Sequence, residues 1–531
     1  MAHSLVPEDS SGWRSPSQDT MLLRKGRPTF GSDPDLEAGL ASASSATFCL
    51  NGRRVEAQIT KSGITLTQAP ARWLIWRSRL PSFLPFHEIL GAAASKRALP
   101  WQWCCWAAWR PPAHGIDVHT FRRKRRKPCL WSPVAWRLAC QDEEVAKQWA
   151  ADINEAVSDI SCRPRTLLVI VNPWGGCGRA RRVWAGEAYP VLSQAGVRCV
   201  VVDTRHPLHA KDIVAALPMH ELELYDGILA VGGDGLFQEV LDGAAALRCG
   251  ADAQRAAAAA QLRLGHIPGG STDAAAYSMH GTRSAACAAL HAALGDSTPL
   301  DVMRVDTGDG SHRMSVCYAT YGYMGDLLHT SEAMRWLGES RYPLAGALTL
   351  FRGRSYGARV SYQSAAPDAL KAMCCQHQCQ RCSVSASASH ASLGLHSPAA
   401  VTEAPWTTVE GRFKSIMAIV TSCRSDMSPE GLSRNAHLAD GRLHLVLVHQ
   451  CSILEYLKFL SLIPTCGINM EHLPYVKVVE ATAVKVQPLG EESHWNVDGE
   501  LMPHNEVAAH VCQGAVQVFS RGIEVGHPDC A

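Results

Sequence analysis

Three apolar runs in the middle of the chain each lead directly into a glycine-rich turn. The runs are Thr166 to Val171, Ile228 to Val231 and Leu264 to Ile267, and a fourth strand-like run covers Arg198 to Thr204. Near-continuous apolar runs are typical of strands that are buried on both faces of a parallel sheet. Helix-like stretches separate the runs, and this alternation predicts an α/β lobe with a parallel sheet.

The second turn, Gly232-Gly233-Asp234-Gly235, contains one acid among three glycines. Its position between a strand and the start of a helix lets the backbone come close to a phosphate group. The carboxylate of Asp234 then faces the same place, which is a plausible arrangement for phosphoryl transfer. The alternative is that Asp234 only caps the helix that follows.

The other two turns strengthen the first interpretation. They are Asn172-Pro173-Trp174-Gly175-Gly176-Cys177-Gly178 and Pro268-Gly269-Gly270-Ser271-Thr272. A single glycine turn is weak evidence, but turns on successive strands meet at the carboxyl edge of a parallel sheet, where such folds bind ligands. The Walker A pattern, the protein-kinase set and the dinucleotide fingerprint are all missing from the sequence.

The length of 531 residues predicts two or three domains. We expect a disordered segment at 1–45, the α/β nucleotide-binding lobe at 163–300, and a β-sandwich-like lobe at 301–525 with a mobile insertion at 383–408. Residues 46–157 combine short strands with an amphipathic helix that begins at Asp142 and carries Trp149 at its centre. That arrangement resembles a pleckstrin-homology domain.

The net charge of +2 gives no overall attraction to nucleic acid or membranes, so any charged partner must meet a local patch. No signal peptide and no apolar stretch of about 18 residues is evident, which predicts a cytoplasmic chain that is peripheral on membranes. The six consecutive cations Arg122 to Lys127 are either a solvated loop or a contact for inositol phosphates or an anionic surface. The stripe Trp101, Trp103, Trp106 and Trp109 is either core or an interfacial anchor.

The three turns together resemble the diacylglycerol-kinase catalytic family, which includes sphingosine, ceramide and bacterial diacylglycerol kinases. Further matches to this family are the segments Tyr321 to Asp326 and Ser331 to Tyr342, and the late element Asn496-Val497-Asp498-Gly499-Glu500. The spacing of Cys375, Cys379 and Cys382 and the pleckstrin-homology-like region are similar to the ceramide kinase branch. The resemblance covers roughly residues 46 to 525.

The resemblance implies an ATP-dependent lipid kinase that phosphorylates the primary hydroxyl of ceramide to ceramide 1-phosphate. It implies ATP and Mg²⁺ as cofactors, with Ca²⁺ as a further candidate, and a membrane surface with phosphoinositides as a partner, at the Golgi or plasma membrane. The alternatives are a sphingosine or diacylglycerol kinase, or a non-catalytic protein that binds lipids or phosphoinositides.

The resemblance also implies roles for individual residues. Asp234 is the proton acceptor for the lipid hydroxyl, and the substrate side includes Gly232, Gly233, Gly235 and Asp326. The nucleotide side includes Asn172, Pro173, Trp174, Thr204, Glu239, Gly270, Ser271, Thr272, Arg335, Arg341, Asp498, Gly499 and Glu500.

Other interpretations of these residues stay open. The two arginines could be ordinary cations on a helix surface, and Asp498-Gly499 could be a hairpin turn without a ligand. Asp326 is either structural or faces the substrate. The three cysteines could hold zinc with His377 or Cys374, form a thiol cluster, or act as a redox switch.

Two residues depart from the family pattern. Cys177 stands where relatives often have Lys, so some phosphate affinity must come from elsewhere. Leu328 falls about where sphingosine kinases place an acid that meets the substrate amine. An apolar residue there suits ceramide, whose nitrogen is an uncharged amide.

Overall fold

The computed structural model describes residues 45–50, 53–68, 82–96, 113–175, 178–250, 252–365, 405–426, 428–434, 436–468, 470–502 and 506–523. The predicted tryptophan stripe, the cysteine trio and residues 1–44 of the predicted disordered segment lie outside these ranges. No helix within them is long and apolar enough to cross a membrane.

The N-terminal module is an antiparallel sheet followed by one helix. Its elements are β1 (Ser45–Leu50), β2 (Arg53–Ile59), β3 (Gly63–Gln68), β4 (Phe83–Pro85), a 3-10 helix (Phe86–Glu88), β5 (Gly91–Ser95), β6 (His114–Lys124), β7 (Lys127–Cys140) and α1 (Glu143–Ser158). The seven strands lie in the order β4-β3-β2-β1-β7-β6-β5. Because β1 begins at Ser45, the predicted disordered segment extends one residue too far.

The helix α1 begins where the sequence predicts. Asp142 accepts a hydrogen bond from the backbone nitrogen of Glu144 at 2.8 Å, which satisfies one of the free N–H groups at the helix start. Trp149 is buried and packs edge-on against Phe48, with 4.9 Å between the ring centroids. The apolar face of the helix therefore covers the core of the module.

The cationic run is split by the structure. It spans the end of β6, a tight turn and the start of β7. Arg123 is not solvated, because its guanidinium pairs with Glu88 at 2.9 Å and its side chain is 5% exposed. Arg122, Lys124, Arg125, Arg126 and Lys127 are exposed. The interpretation of the whole run as a solvated loop is therefore wrong at Arg123.

The α/β lobe contains the parallel sheet that the apolar runs predict. Its elements are β8 (Thr166–Val171), α2 (Ala180–Val183), a π-helical turn (Trp184–Ala188), α3 (Tyr189–Gln194), β9 (Arg198–Asp203), α4 (His209–Ala215), α5 (Met219–Leu222), β10 (Gly227–Gly232), α6 (Asp234–Arg248), α7 (Ala253–Ala260), β11 (Arg263–Pro268), α8 (Ala274–His280) and α9 (Ala285–Leu294). The strands run in the order β11-β10-β8-β9, all parallel.

The remaining region is rich in antiparallel strands. Its elements are β12 (Thr298–Thr307), β13 (His312–Ser315), β14 (Tyr318–Gly322), α10 (Tyr323–Glu332), a 3-10 helix (Arg335–Ser340), α11 (Arg341–Arg352), β15 (Tyr356–Ser364), β16 (Trp406–Ile419), β17 (Leu443–His449), α12 (Ile453–Cys466), β18 (Val476–Pro488), β19 (Trp495–Val497), β20 (Glu500–Met502) and β21 (Val507–Val518). Strands β15, β16, β17 and β18 pair in a ring, each with two of the others.

The two lobes share one sheet. β21 pairs antiparallel with β12 and β18, and it also pairs in parallel with β11 of the α/β lobe. The described strands outside the module therefore form a continuous 14-stranded sheet. The boundary that the sequence predicts at residue 300 falls inside β12 and does not divide this sheet. The predicted insertion 383–408 is wrong in its last three residues, since β16 begins at Trp406.

The module packs directly on the α/β lobe. The Trp131 ring of β7 lies against the imidazole of His291 on α9, with 4.1 Å between the ring centroids. His291 Nδ1 and Arg521 Nε contact the two carboxylate oxygens of Asp296 at 2.8 and 2.7 Å. Burial alone raises the pKa of Asp296, but these hydrogen bonds outweigh burial and hold the pKa below its ordinary value. His291, Asp296 and Arg521 thus form a buried polar cluster where the module contacts the α/β lobe.

Candidate active site

The first glycine turn is shaped by Asn172. Its side-chain oxygen accepts hydrogen bonds from the backbone nitrogens of Trp174 and Gly175, both at 3.0 Å. Its own backbone nitrogen donates to Val231 O of the neighbouring strand β10 at 3.1 Å. The Trp174 side chain is 82% exposed at the edge of this turn. Gly176 and Cys177 lie outside the described residues.

Asp234 is the first residue of α6, and Gly233 is the residue that precedes the helix. The two carboxylate oxygens of Asp234 accept hydrogen bonds from the backbone nitrogens of Ala274 and Ala275, both at 2.9 Å. These nitrogens are the free N–H groups at the start of α8. The acid therefore caps a helix, but a different one from the helix that it begins, and the two contacts fix the plane of its carboxylate.

The second and third turns touch each other. A Cβ atom on Gly270 would lie 2.6 Å from the Cα atom of Gly233, so only glycine fits at this position. Gly269 donates its backbone hydrogen to Gly232 O at 2.9 Å. Arg179, which follows the first turn, donates to Gly270 O at 2.8 Å. The structure therefore brings all three turns together at the carboxyl edge of the parallel strands.

The other residues predicted on the nucleotide side surround these turns. Thr204 is buried at the end of β9, and its nitrogen donates to Val171 O at 2.8 Å. Glu239 accepts from the backbone nitrogen of Ala210 at 3.1 Å, at the start of α4. Ser271 and Thr272 are exposed beyond Gly270. These positions line the same sheet edge as the acid.

Asp498 and Gly499 form the two-residue turn between β19 and β20, and both have positive φ angles, of 48° and 88°. Asp498 and Gly499 therefore form the hairpin turn that was one of the two interpretations of this element. Asp498 is partly buried, and its carboxylate accepts hydrogen bonds at 2.8 to 3.2 Å from Ser315 Oγ and from the backbone nitrogens of Val316, Cys317 and Tyr318. Burial raises its pKa to about 6 despite these donors.

In the element Asn496 to Glu500, the carboxylate of Glu500 reaches the second glycine turn, Gly232 to Gly235. Its Oε1 atom lies 3.8 Å from the position that a Cβ atom would take on Gly235. Its Oε2 atom pairs with Arg313 at 2.7 Å, and its side chain is 56% exposed. Among the described residues, no cluster of three or more His, Cys, Asp or Glu side chains could hold a metal ion. A divalent cation here would need phosphate oxygens as further ligands.

Asp326 lies buried on α10 in a polar network. Tyr356 donates its hydroxyl hydrogen to Oδ2, and Ser493 donates to Oδ1 at 2.7 Å. His494 Nδ1 lies 3.3 Å from the same Oδ1 atom. These contacts join α10 to β15 and to the segment before β19, which favours a structural role for Asp326. Leu328 is also buried on this helix.

Arg335 and Arg341 come together, but not on a glycine turn. Both pair with Glu332, at 3.4 Å in the case of Arg341. Arg335 is 73% exposed and Arg341 is 18% exposed. Their phosphate-binding role stays a prediction.

Sequence reasoning did not assign roles to four residues of the site. Arg179 bridges two turns, Arg313 pairs with Glu500, and Arg283 lies 3.6 Å from the buried carboxylate of Asp273. The fourth is His266, a fully buried residue of β11. The sequence signal for His266 was a histidine inside an otherwise apolar strand. The contacts of the three arginines could not be predicted in this way, because they depend on the tertiary fold.

Comparisons with known proteins agree with this geometry. Residues 166–305 match the diacylglycerol kinase catalytic domain family, and residues 317–494 match the ceramide kinase C-terminal domain family. The chain is 32% identical to a ceramide kinase of Homo sapiens over 458 residues, covering 77% of this chain and 83% of that protein. It is 29% identical to a ceramide kinase of Arabidopsis thaliana over 498 residues, covering 77% and 81%.

A more distant relative is sphingosine kinase 2 of Homo sapiens, at 32% identity over 288 residues, which is 49% of this chain and 43% of that protein. A solved structure of a putative diacylglycerol kinase from Bacillus anthracis str. Sterne aligns over 69% of this chain and 99% of that chain, with a TM-score of 0.46 and 16% identity. The ceramide kinase of Homo sapiens therefore combines 32% identity with a match over more than two thirds of both chains. The chain belongs to the ceramide kinase family of lipid kinases.

Proposed function

We propose that this lipid kinase transfers the γ-phosphoryl group of ATP to the primary hydroxyl of ceramide, forming ceramide 1-phosphate. The observation that carries the proposal is the position of Asp234, held by the start of α8 where three glycine turns meet. Membership of the ceramide kinase family supports ceramide as the acceptor. The two relatives reported above that match over 77% of this chain are ceramide kinases by name.

Asp234 orients the lipid hydroxyl and takes its proton. An ordinary carboxylate, with a pKa of about 3.9, is too weak to deprotonate a free alcohol before the reaction starts. In a loose transition state the bond to the leaving group is largely broken before the proton must move, so a weak acceptor is sufficient. The two hydrogen bonds from α8 aim the carboxylate, which lowers the entropy that must be lost in the reaction.

ATP lies across the three turns in this proposal. Their glycines leave space for the phosphates to approach the backbone. Mg²⁺ accompanies the triphosphate because its charge needs compensation. Asn172, Thr204 and Glu239 line the nucleotide side, and Glu500 is the protein carboxylate placed to reach the metal directly or through water. Asp498, through its hydrogen bonds to the start of β14, positions the hairpin that carries Glu500.

The enzyme works at a membrane surface in this proposal, because ceramide resides in the bilayer. The supporting feature is an exposed apolar face on α11 and α12, whose ends meet where Ile453 Cδ1 lies 3.6 Å from the Cβ position of Gly353. Phe351 and Leu454 are 76% and 77% exposed on this face. Its other exposed apolar residues are Leu344, Leu348, Ile453 and Leu457. The exposed cations Arg352 and Lys458 on the same helices suit anionic headgroups.

The N-terminal module is a second candidate for membrane contact. Its antiparallel sheet with one terminal helix supports the pleckstrin-homology-like interpretation. The exposed cations Lys124, Arg125, Arg126 and Lys127 stand together at the β6–β7 turn and suit a phosphoinositide headgroup.

The rival acceptors are sphingosine and diacylglycerol. Leu328 is buried on α10 and offers no charge to the amine of sphingosine. The test is a competition in mixed micelles, with the purified chain, labelled ATP and Mg²⁺ and equal amounts of ceramide, sphingosine and diacylglycerol. The proposal predicts that ceramide takes most of the label. A clear preference for either rival contradicts ceramide as the substrate, and no transfer to any lipid favours a non-catalytic lipid-binding protein.

A further inference from the structure

His266 lies beneath the turn that carries the catalytic acid. It stands opposite Ala230 in the parallel pair of β11 and β10, and its side chain is fully buried. Its imidazole is stacked against the Phe237 ring of α6, with 5.2 Å between centroids and an angle of 13°. A titratable group is therefore fixed inside the lobe, next to Asp234.

The two ring nitrogens of His266 face different groups. Nε2 lies 3.0 Å from the carbonyl oxygen of Gly232. A carbonyl can only accept a hydrogen bond, so the network assigns the hydrogen to Nε2. Nδ1 then carries a lone pair and has no hydrogen-bond partner among the described residues. Oδ1 of Asp234 lies 3.9 Å from Nδ1.

The lone pair of His266 Nδ1 repels Oδ1 of Asp234 while neither atom carries a proton. The contact becomes favourable when one proton lies between them, after an approach of about 1 Å to hydrogen-bond distance. Phosphoryl transfer delivers such a proton, since the acceptor hydroxyl loses its hydrogen. An imidazole also binds a proton more tightly than a carboxylate does.

We propose that His266 is a positioning residue that acts through Asp234 and takes up the proton that Asp234 receives from the lipid hydroxyl. This inference rests on the proposed kinase reaction but not on which lipid is the acceptor. The lipid O–H bond breaks as its oxygen bonds to the γ-phosphorus, and the bond from that phosphorus to the β–γ bridging oxygen breaks with its electrons leaving on ADP. The proton passes from Asp234 Oδ1 to His266 Nδ1, and before the next turnover it returns to Asp234, whose side chain is 22% exposed, and from there to solvent.

Other charged groups surround the imidazole and belong in the pH analysis. Asp273 Oδ1 lies 3.9 Å from Nε2, and Arg283 lies 3.6 Å from the other oxygen of Asp273. His280, at the end of α8, interacts with His266 through its charge. His266 accepts the proton only while its Nδ1 is unprotonated, so the proposal predicts that kcat falls at acidic pH.

The test is the pH dependence of kcat from about pH 5.5 to 8 in the full chain, with whichever lipid the wild type phosphorylates fastest. His266→Gln keeps an amide donor for Gly232 O and removes the basic Nδ1. The matched control is His444→Gln, the same change at a buried histidine of β17. We expect His266→Gln to lower kcat about tenfold at pH 7.5, to leave KM for ATP within twofold, and to lose the fall in kcat at acidic pH that the wild type and His444→Gln retain.

An unchanged kcat and pH profile would overturn the proposal. So would a rise in KM for ATP and a lower melting temperature with the wild-type profile retained, because that pattern belongs to a structural role. If His266→Gln does not fold, His266→Asn is measured in the same way, with ATP-dependent protection against heat as the check on folding. A wild type that prefers another lipid contradicts only the proposed substrate, whereas transfer to no lipid overturns both proposals.

Discussion

Ala275 donates its backbone hydrogen to the Asp234 carboxylate at 2.9 Å, across 41 residues of chain. Together with the bond from Ala274, this contact fixes the acid at the start of α8 rather than leaving it free at the end of its own strand. The acid, the second turn and the third turn are therefore packed together as one unit. Changes in the third turn should act on Asp234 without touching it.

Gly270→Ala tests the closeness of the two turns. The added methyl group would lie 2.6 Å from Gly233 Cα and 2.7 Å from Asp273 Oδ1, so backbone must move. We expect a loss of about 1–3 kcal/mol in the free energy of unfolding, measured by urea denaturation, and about tenfold weaker ATP binding. Gly308→Ala is the control, since no atom lies within 4 Å of its Cβ position. Equal ATP affinity in the two variants would contradict the packed-turn site.

Glu500→Gln tests the metal side of the site. The variant keeps the size of the side chain but loses the charge that stands near Gly235 and pairs with Arg313. We expect kcat/KM for ATP to fall about tenfold and the Mg²⁺ concentration for half-maximal rate to rise. Glu506→Gln, at an exposed position before β21, should behave as the wild type. An unaltered Mg²⁺ dependence in Glu500→Gln would remove this residue from the metal site.

Asp498 predicts a pH dependence of stability. Burial raises its pKa from 3.8 to about 6 in the folded chain, so the folded state binds this proton more tightly than the unfolded state does. The contribution of Asp498 to the free energy of unfolding is therefore largest below pH 4. It falls by about 3 kcal/mol in all as pH rises from about 4 to 6. Asp498→Asn does not titrate, so its stability relative to the wild type should rise over that range in urea denaturation. A constant difference between the two would show that the carboxylate is not desolvated.

The apolar face predicts a rate that depends on the membrane. Phe351→Ser combined with Leu454→Ser removes two side chains that would enter the headgroup region, where burying each is worth about 1.5–3 kcal/mol. We expect at least a tenfold lower rate on ceramide in vesicles and an unchanged rate on a short-chain ceramide in solution. Leu489→Ser, at another exposed leucine, is the control. Equal losses on both substrates would point to a folding defect instead.

The sequence is sufficient to predict the parallel sheet and the meeting of its turns. Apolar runs such as Thr166–Val171 are buried strands, and the carboxyl ends of parallel strands must share one edge. The start of α1 could also be predicted from the sequence, because the cap at Asp142 is a contact between residues that are close in the chain. Local pattern thus identified both the lobe and the acid.

The rest depends on contacts between distant segments. No local pattern reveals that β21 enters the sheet beside β11, or that Arg123 turns inward to Glu88. The hairpin at Asp498 was an open alternative, and the burial of its carboxylate follows only from where β14 lies. The contact between His266 and Asp234 likewise requires the register of β10 and β11.

The most direct measurement compares the wild type with Asp234→Asn, using labelled ATP, Mg²⁺ and ceramide in mixed micelles. The control is Asp252→Asn, because Asp252 also accepts two backbone hydrogen bonds at a helix start, in α7. We expect Asp234→Asn to lower kcat for ceramide 1-phosphate by about 10²–10⁴-fold, the range for loss of a general base. ATP affinity should stay within fivefold, and Asp252→Asn should keep wild-type turnover. Wild-type turnover in Asp234→Asn would contradict the role of this carboxylate as the proton acceptor.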